Sequence, residues 1–162
     1  MHPLLILKLL ILLAVANGVP VIAKRILGDR FAYPADLGMN FPDGERLYGP
    51  TKTVRGVGLS IFATAAVAPL LGFPLKIGAL IAAAAMVGDL LSSFVKRRLK
   101  IPPSGQALGL DQIPESLFPL LACMDPLQLS IPDIAAGVAV FFVGELLVSR
   151  LLFKLHLRDR PY

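Results

Sequence analysis

The chain has 162 residues, is 56% hydrophobic and has a mean hydropathy of +0.72, which excludes a soluble globular domain and implies one membrane-embedded domain over residues 1–162. In a soluble protein the formal net charge of +5 would suggest nucleic acid. Here the basic residues sit in short polar stretches between apolar runs, so the charge reports topology and anionic partners, phosphates or lipid headgroups, and no nucleic acid. Cys123 is the only cysteine, which excludes a disulfide or a cysteine-built zinc site within one chain.

The first apolar run, Pro3 to Ala23, has the length of a bilayer span. Asn17, Gly18 and Pro20 lack the small-x-small pattern of a cleaved signal, so the run is expected to be a retained helix. A polar loop follows from Lys24 to Arg55, punctuated by Pro34-Ala35-Asp36, Pro42-Asp43-Gly44 and Tyr48-Gly49-Pro50. Phe31, Tyr33, Phe41 and Tyr48 give it apolar anchors, and it is expected to be ordered against the membrane surface. The second run spans Gly56 to Leu71, and Gly72-Phe73-Pro74 leaves room only for a tight hairpin into the third, Leu75 to Leu91. A fourth span is expected over Ile113 to Ile131, interrupted by Pro114, Pro119 and Pro126, and a fifth over Ile134 to Phe153.

The resulting fold class is an all-α integral-membrane bundle of about five transmembrane helices with two long cytoplasmic loops. All but Lys8 and Lys76 of the 16 basic residues lie in the first loop, in the Lys96 to Lys100 cluster, or from Arg150 onward. The positive-inside rule therefore places the N-terminus outside and the C-terminus inside a cell membrane, with both polar loops facing the cytoplasm.

The most informative stretch runs from Met86 to Ser116. Asp89, Ser92, Ser93, Lys96 and Lys100 recur at three- and four-residue steps and share one helical face. Asp89 and Lys96 are separated by roughly 10 Å of axial rise, about the length of a triphosphate with its metal ion. An acid at membrane depth faces a polar cavity or a partner by default. Histidine chemistry has little support, since the histidines are His2 and His156; Cys123 has no basic neighbour, and no Gly-x-Ser-x-Gly elbow occurs. Asp36, Asp43, Asp89 and Asp111 accompany Arg46, Lys52, Arg55, Lys96, Arg97 and Arg98. That inventory suits phosphoryl or nucleotidyl transfer, in which Mg²⁺ needs only one or two carboxylates plus phosphate oxygens. Gly49-Pro50-Thr51-Lys52-Thr53 lacks the glycine spacing of a Walker motif.

Three motifs resemble those of the CDP-archaeol synthase family, small membrane CTP:lipid-phosphate cytidylyltransferases related to CDP-diacylglycerol synthases. They are Pro34-Ala35-Asp36-x-Gly38-x-x-Phe41-x-Asp43-Gly44-x-Arg46, then Gly49-x-x-Lys52-Thr53-x-Arg55-Gly56, then Gly88-Asp89-x-x-x-Ser93-Phe94-x-Lys96-Arg97-Arg98 followed by Leu110-Asp111-Gln112. The resemblance implies Mg²⁺-dependent transfer of CMP from CTP to an isoprenoid ether-lipid phosphate, releasing pyrophosphate. It implies that Asp89 and Asp111 hold the metal and, with Lys96, form the catalytic set. Lys52, Arg55, Lys96 and Arg97 would bind phosphates, Ser93 and Thr53 would donate hydrogen bonds to phosphate oxygens, and Arg98, Gln112, Asp43 and Arg46 would complete the substrate site. Gly49-Pro50-Thr51 departs from the family's Gly-Asp-x pattern, which leaves the metal to Asp89 and Asp111.

Plainer roles compete with these. Lys52 and Arg55 also fit a charged helix flank, Asp43-Gly44 is a common turn, and Asp111-Gln112 could cap the fourth helix. Glu145, deep in the fifth run, is unassigned. A CTP-dependent lipid kinase would use similar charges, and a small transporter or channel subunit is the rival from another class, disfavoured by the absence of an internal repeat.

Overall fold

The computed structural model describes residues 2–103 and 105–154; His156 and the basic tail around it lie outside them. Five α-helices follow in order: α1 Pro3–Leu27, α2 Val54–Val67, α3 Leu75–Arg98, α4 Gln112–Ala122 and α5 Ile131–Lys154. A 3-10 turn, Ala68–Leu71, extends α2, and Gly72 closes the hairpin to α3 at φ 83°. Among the described residues, four segments are long and apolar enough to cross a membrane: Pro3–Leu27, Val54–Leu71, Leu75–Arg98 and Ile131–Leu151.

α3 is the central element, packing against α1, α2 and α4. Leu9, Leu12, Leu13 and Ala16 of α1 meet Ile77, Ile81, Ala82 and Ala85 of α3 in the core, with Leu120, Cys123 and Phe141 added from the α4–α5 side. Outward-facing Leu4, Leu7, Phe62, Val143 and Leu147 are exposed, as they would be to lipid.

Pro20 lies inside α1 and has no N–H to donate to the Ala16 carbonyl one turn earlier. Ser60 of α2 supplies the missing donor, its hydroxyl reaching Ala16 O at 2.7 Å. Gly56 lets α2 come this close, because a Cβ there would lie 3.3 Å from the Pro20 ring. The backbone defect in α1 is thus repaired by its neighbour, as the interior of a bilayer requires.

The two ends of the bundle are distinct. His2 donates its backbone N–H to Asp133 Oδ1 at 2.7 Å and pairs through Nδ1 with Oδ2 at 3.1 Å, which brings the starts of α1 and α5 together. Lys8 lies over the Phe73 ring of the α2–α3 hairpin at the same end. The first loop, the end of α3 and the start of α4 gather at the other.

The fourth expected span is corrected. α4 stops at Ala122, and its 11 residues rise only about 16 Å, half the ~30 Å hydrocarbon thickness. Pro119 already removes one helical donor, and Pro126 cannot extend the ladder. Residues 123–130 instead form compact turns, with Leu127 N–H donating to Cys123 O and Leu129 N–H to Met124 O, and Cys123 and Leu129 are buried. This stretch completes the passage to the end where α5 begins. Lys100 also departs from expectation. α3 ends at Arg98 in a Schellman motif, with Lys100 N–H on Arg97 O, Ile101 N–H on Lys96 O, and Lys100 left-handed at φ 54°. It therefore leaves the helical face that carries Asp89 and Lys96.

The loop 28–53 is built around one carboxylate. Asp36 is fully buried and accepts from the backbone N–H groups of Gly38, Tyr48 and Gly49 at 3.0, 3.2 and 2.9 Å, and from the Arg46 guanidinium. Gly38 and Gly49, at φ 85° and 92°, supply the left-handed turns that aim those donors inward. Burial alone would raise the Asp36 carboxyl; Arg46 and the three N–H groups outweigh it and hold it below its usual value. Arg98 fastens this loop to α3. Its Nε is 2.5 Å from Asp43, its Nη2 donates to Arg46 O at 2.9 Å, and its guanidinium lies 4.7 Å from both the Phe41 and Phe94 ring centres. Those rings meet edge to face at 5.3 Å.

A carboxyl whose folded value is depressed stabilises the fold above its unfolded value, near about pH 4, and ceases to do so as the pH falls through the lowered one. The melting temperature of wild type should therefore exceed that of Asp36→Asn most at neutral pH, the gap closing below about pH 4. Separately, a Cβ at Gly78 would lie 2.6 Å from both Ala68 Cβ and Thr64 O. Thermal unfolding of Gly78→Ala should show a loss of about 1–3 kcal/mol from overpacking.

Candidate active site

The charged cluster lies inside the bundle, where the last turns of α3 face the first turns of α4. Asp89 is nine residues before the end of α3, about 13 Å below it. Lys52, from the first loop, reaches both its oxygens, at 2.5 and 2.6 Å. One α3 face further up, Lys96 pairs with Asp111 at 2.5 Å and donates to Gly105 O at 3.3 Å. The other Asp111 oxygen accepts from Ala107 N–H at 3.1 Å, tying the α3–α4 connection to the same pair.

Burial alone would drive the Lys52 ammonium toward neutrality, but Asp89 beside it, with Glu115 and Asp111, outweighs that and raises it above its usual value. Lys52 is therefore a fixed cation at neutral pH, suited to holding anions and unsuited to taking protons. Two partly buried lysine–carboxylate pairs carry a desolvation cost that hydrophobic packing would avoid, which makes this cluster the candidate site.

The remaining sequence-derived residues divide into groups. Ser93, Arg97 and Gln112 are buried on the helices that form the cluster. Arg97 runs beneath Gly49, where a Cβ would lie 3.7 Å from Arg97 Cδ, and its Nε has no hydrogen-bond partner. Gln112 Oε1 accepts from Gly109 N–H at 2.9 Å, which shapes the approach to α4. Asp111 occupies the position before α4 but makes no side-chain cap there; its carboxylate faces Lys96. Asp43, Arg46 and Arg98 are engaged in the loop clasp. Thr53 caps α2, its hydroxyl accepting from Gly56 N–H at 3.1 Å. Arg55 points away from the cluster, donating to the Arg30 and Gly28 carbonyls where α1 ends.

One residue was not singled out in the sequence. Glu115 of α4 is buried, and its carboxyl is in hydrogen-bonding contact with that of Asp89 and within electrostatic reach of Lys52. Its signal was present: it stands four residues after Asp111, hence on the same helical face, and is an isolated acid in an apolar run. Glu145 of α5 lies within electrostatic reach of Glu115.

Among the described residues no three of His, Cys, Asp or Glu are grouped closely enough to hold a metal by themselves. Beside the cluster, α4 and α5 enclose an apolar groove of about 800 Å³, lined by Ile113, Leu117, Leu121, Ile134, Val138 and Phe142 among others. Ile113, Leu117 and Leu121 recur every four residues, so one strip of α4 faces the groove while Asp111 and Glu115 occupy another.

Residues 59–162 match the CarS-like family of CDP-archaeol synthases. CDP-archaeol synthase from Pyrobaculum calidifontis is 39% identical over 153 residues, covering 91% of each chain. That from Pyrococcus furiosus is 42% identical over 123 residues, covering 69% of this chain and 70% of its own. Among solved structures, an intramembrane enzyme for archaeal membrane lipid biosynthesis superposes with a TM-score of 0.71 at 27% identity, covering 85% of this chain and 90% of that one. With its four long apolar helices and its charged cluster between α3 and α4, this chain belongs to the CDP-archaeol synthase family of membrane enzymes.

Proposed function

We propose that the protein transfers CMP from CTP to an isoprenoid ether-lipid phosphate of the unsaturated archaeol type, yielding CDP-archaeol and pyrophosphate for phospholipid synthesis. The observation that carries this reading is the pair of lysine–carboxylate contacts on α3, Lys52 of the first loop with Asp89 and Lys96 with Asp111 at the start of α4, inside an apolar bundle. A phosphate oxygen of the acceptor attacks the α-phosphorus of CTP; the bond from that phosphorus to the bridging oxygen breaks, and its electrons leave with pyrophosphate. The acceptor phosphate is already anionic at neutral pH, so the step needs positioning and charge neutralisation more than a protein base.

Lys52 and Lys96 are the cations placed for the triphosphate, with Arg97 beneath the Gly49 turn as a third. Asp89 and Asp111 are hard oxygen donors that suit Mg²⁺, and their small number fits an ion that keeps phosphate and water among its ligands. When bound, Mg²⁺ neutralises charge building on the leaving pyrophosphate. Until then Asp89 and Asp111 are each matched by a lysine of their own, Lys52 and Lys96. The acceptor's isoprenoid chains suit the apolar groove between α4 and α5, whose Ile113 end adjoins Asp111 and Gln112. The end that holds the first loop and the Lys96 to Lys100 cluster carries most of the positive charge, which supports a site open to the cytoplasm of a cell-membrane enzyme.

Purified protein supplied with radiolabelled CTP, Mg²⁺ and a panel of isoprenoid-ether and diacyl-ester lipid phosphates should form CMP-lipid and pyrophosphate, fastest with the ether lipid. Release of CDP would identify a kinase instead, and no product from folded protein would defeat the reading. Asp89→Ala and Asp111→Ala should each lower turnover by about 100-fold or more. Lys52→Ala should weaken CTP binding, seen as a higher KM.

A further inference from the structure

At Gly88 the backbones of α3 and α4 come into direct contact. A Cβ placed on Gly88 would lie 2.3 Å from the Pro114 carbonyl oxygen, 2.5 Å from its carbon and 2.9 Å from the Glu115 nitrogen. All three are backbone atoms, so no rotamer change relieves the contact and α4 itself must move. The residues next in sequence to this contact are Asp89 on α3 and Glu115 on α4, whose carboxyl groups touch. The backbone contact fixes the distance between these two carboxyls, with the Lys52 ammonium beside them.

We infer that Gly88 is a positioning residue: the approach it permits holds Glu115 against Asp89 and sets the spacing of the carboxyls across α3 and α4 at which Lys52 and the substrate phosphates act. The inference rests on the cytidylyl-transfer reading above. Gly78 provides an internal comparison on the same helix. Its Cβ would be nearly as crowded, 2.6 Å from Thr64 O and Ala68 Cβ and 2.8 Å from Ala65 Cα, but those atoms belong to α2 and the hairpin at the far end of the bundle.

The test compares full-length Gly88→Ala, Gly78→Ala and Glu115→Gln for kcat, for KM of CTP, and for melting temperature with and without Mg²⁺ and CTP. Displacing α4 by about 1 Å should lower kcat of Gly88→Ala roughly 100-fold. It should also shrink the rise in melting temperature that Mg²⁺ and CTP produce. Glu115→Gln should lose kcat and that rise with its fold intact, while Gly78→Ala loses stability but keeps wild-type kcat. The inference is overturned if Gly88→Ala turns over like wild type, if the two glycine variants lose kcat alike at equal melting temperature, or if Glu115→Gln matches wild type in both readouts. Should Gly88→Ala fail to fold, Glu115→Gln decides. An inactive wild type would sink the reaction itself, and the ligand-induced melting shift would still compare the variants.

Discussion

A carboxylate about 13 Å inside a membrane helix needs a counter-charge, and the rest of this structure follows from how Asp89 obtains one. Lys52 comes from outside the helical bundle, on a loop that has no regular secondary structure to hold it. The loop must therefore be rigid by other means. Asp36 gathers three backbone N–H groups and Arg46 at its centre, and Arg98 locks its outer turn to the end of α3 through Asp43, Phe41 and Phe94. The polar residues of the first loop thus serve mainly to hold Lys52 in place, and the few that reach the cluster do so from a fixed frame.

α4 answers the same demand from the other side. A full-length span would continue the apolar run of its neighbours; this helix is short and uses its first turns for Asp111, Gln112 and Glu115. Its early end leaves residues 123–130 as irregular backbone, which is tolerated because Leu127, Gln128 and Leu129 donate back to carbonyls of the same stretch and Cys123 and Leu129 are buried in protein. The repair of Pro20 by Ser60 follows the same rule in α1.

The sequence discloses these features unevenly, for physical reasons. Asp89 and Lys96 could be read because helical periodicity is local and a charge in an apolar run stands out. The presence of α1, α3 and α5 and the starts of α1 and α3 followed from apolar length, whereas α1 continues to Leu27 and α3 to Arg98 through charged residues that apolar length does not count. Arg55 and Asp43 of the first polar stretch and Arg98 of the Lys96 to Lys100 cluster all stood as candidate substrate-site charges, yet each turns toward a partner that only the fold defines. Glu115 carried a local signal as an acid one turn after Asp111, but its partner Asp89 lies 26 positions away across a helix contact that periodicity does not disclose. Gly88 carries no side chain to signal anything, and α4's early stop depends on whether neighbouring helices could have satisfied a longer, proline-broken span.

The groove between α4 and α5 has a further consequence for how such an enzyme is measured. Its lining is apolar, and its Ile113 end adjoins Asp111 and Gln112 in the chain, which suits an acceptor whose chains stay in the bilayer. An acceptor arriving by this route never leaves the bilayer, so its encounter with the protein is a two-dimensional search governed by its mole fraction among the surrounding lipids. Adding inert lipid or detergent then dilutes the substrate even when its bulk molarity is constant, whereas CTP, arriving from water, is untouched. The two substrates of one reaction are thereby counted on different scales, one per membrane area and one per volume.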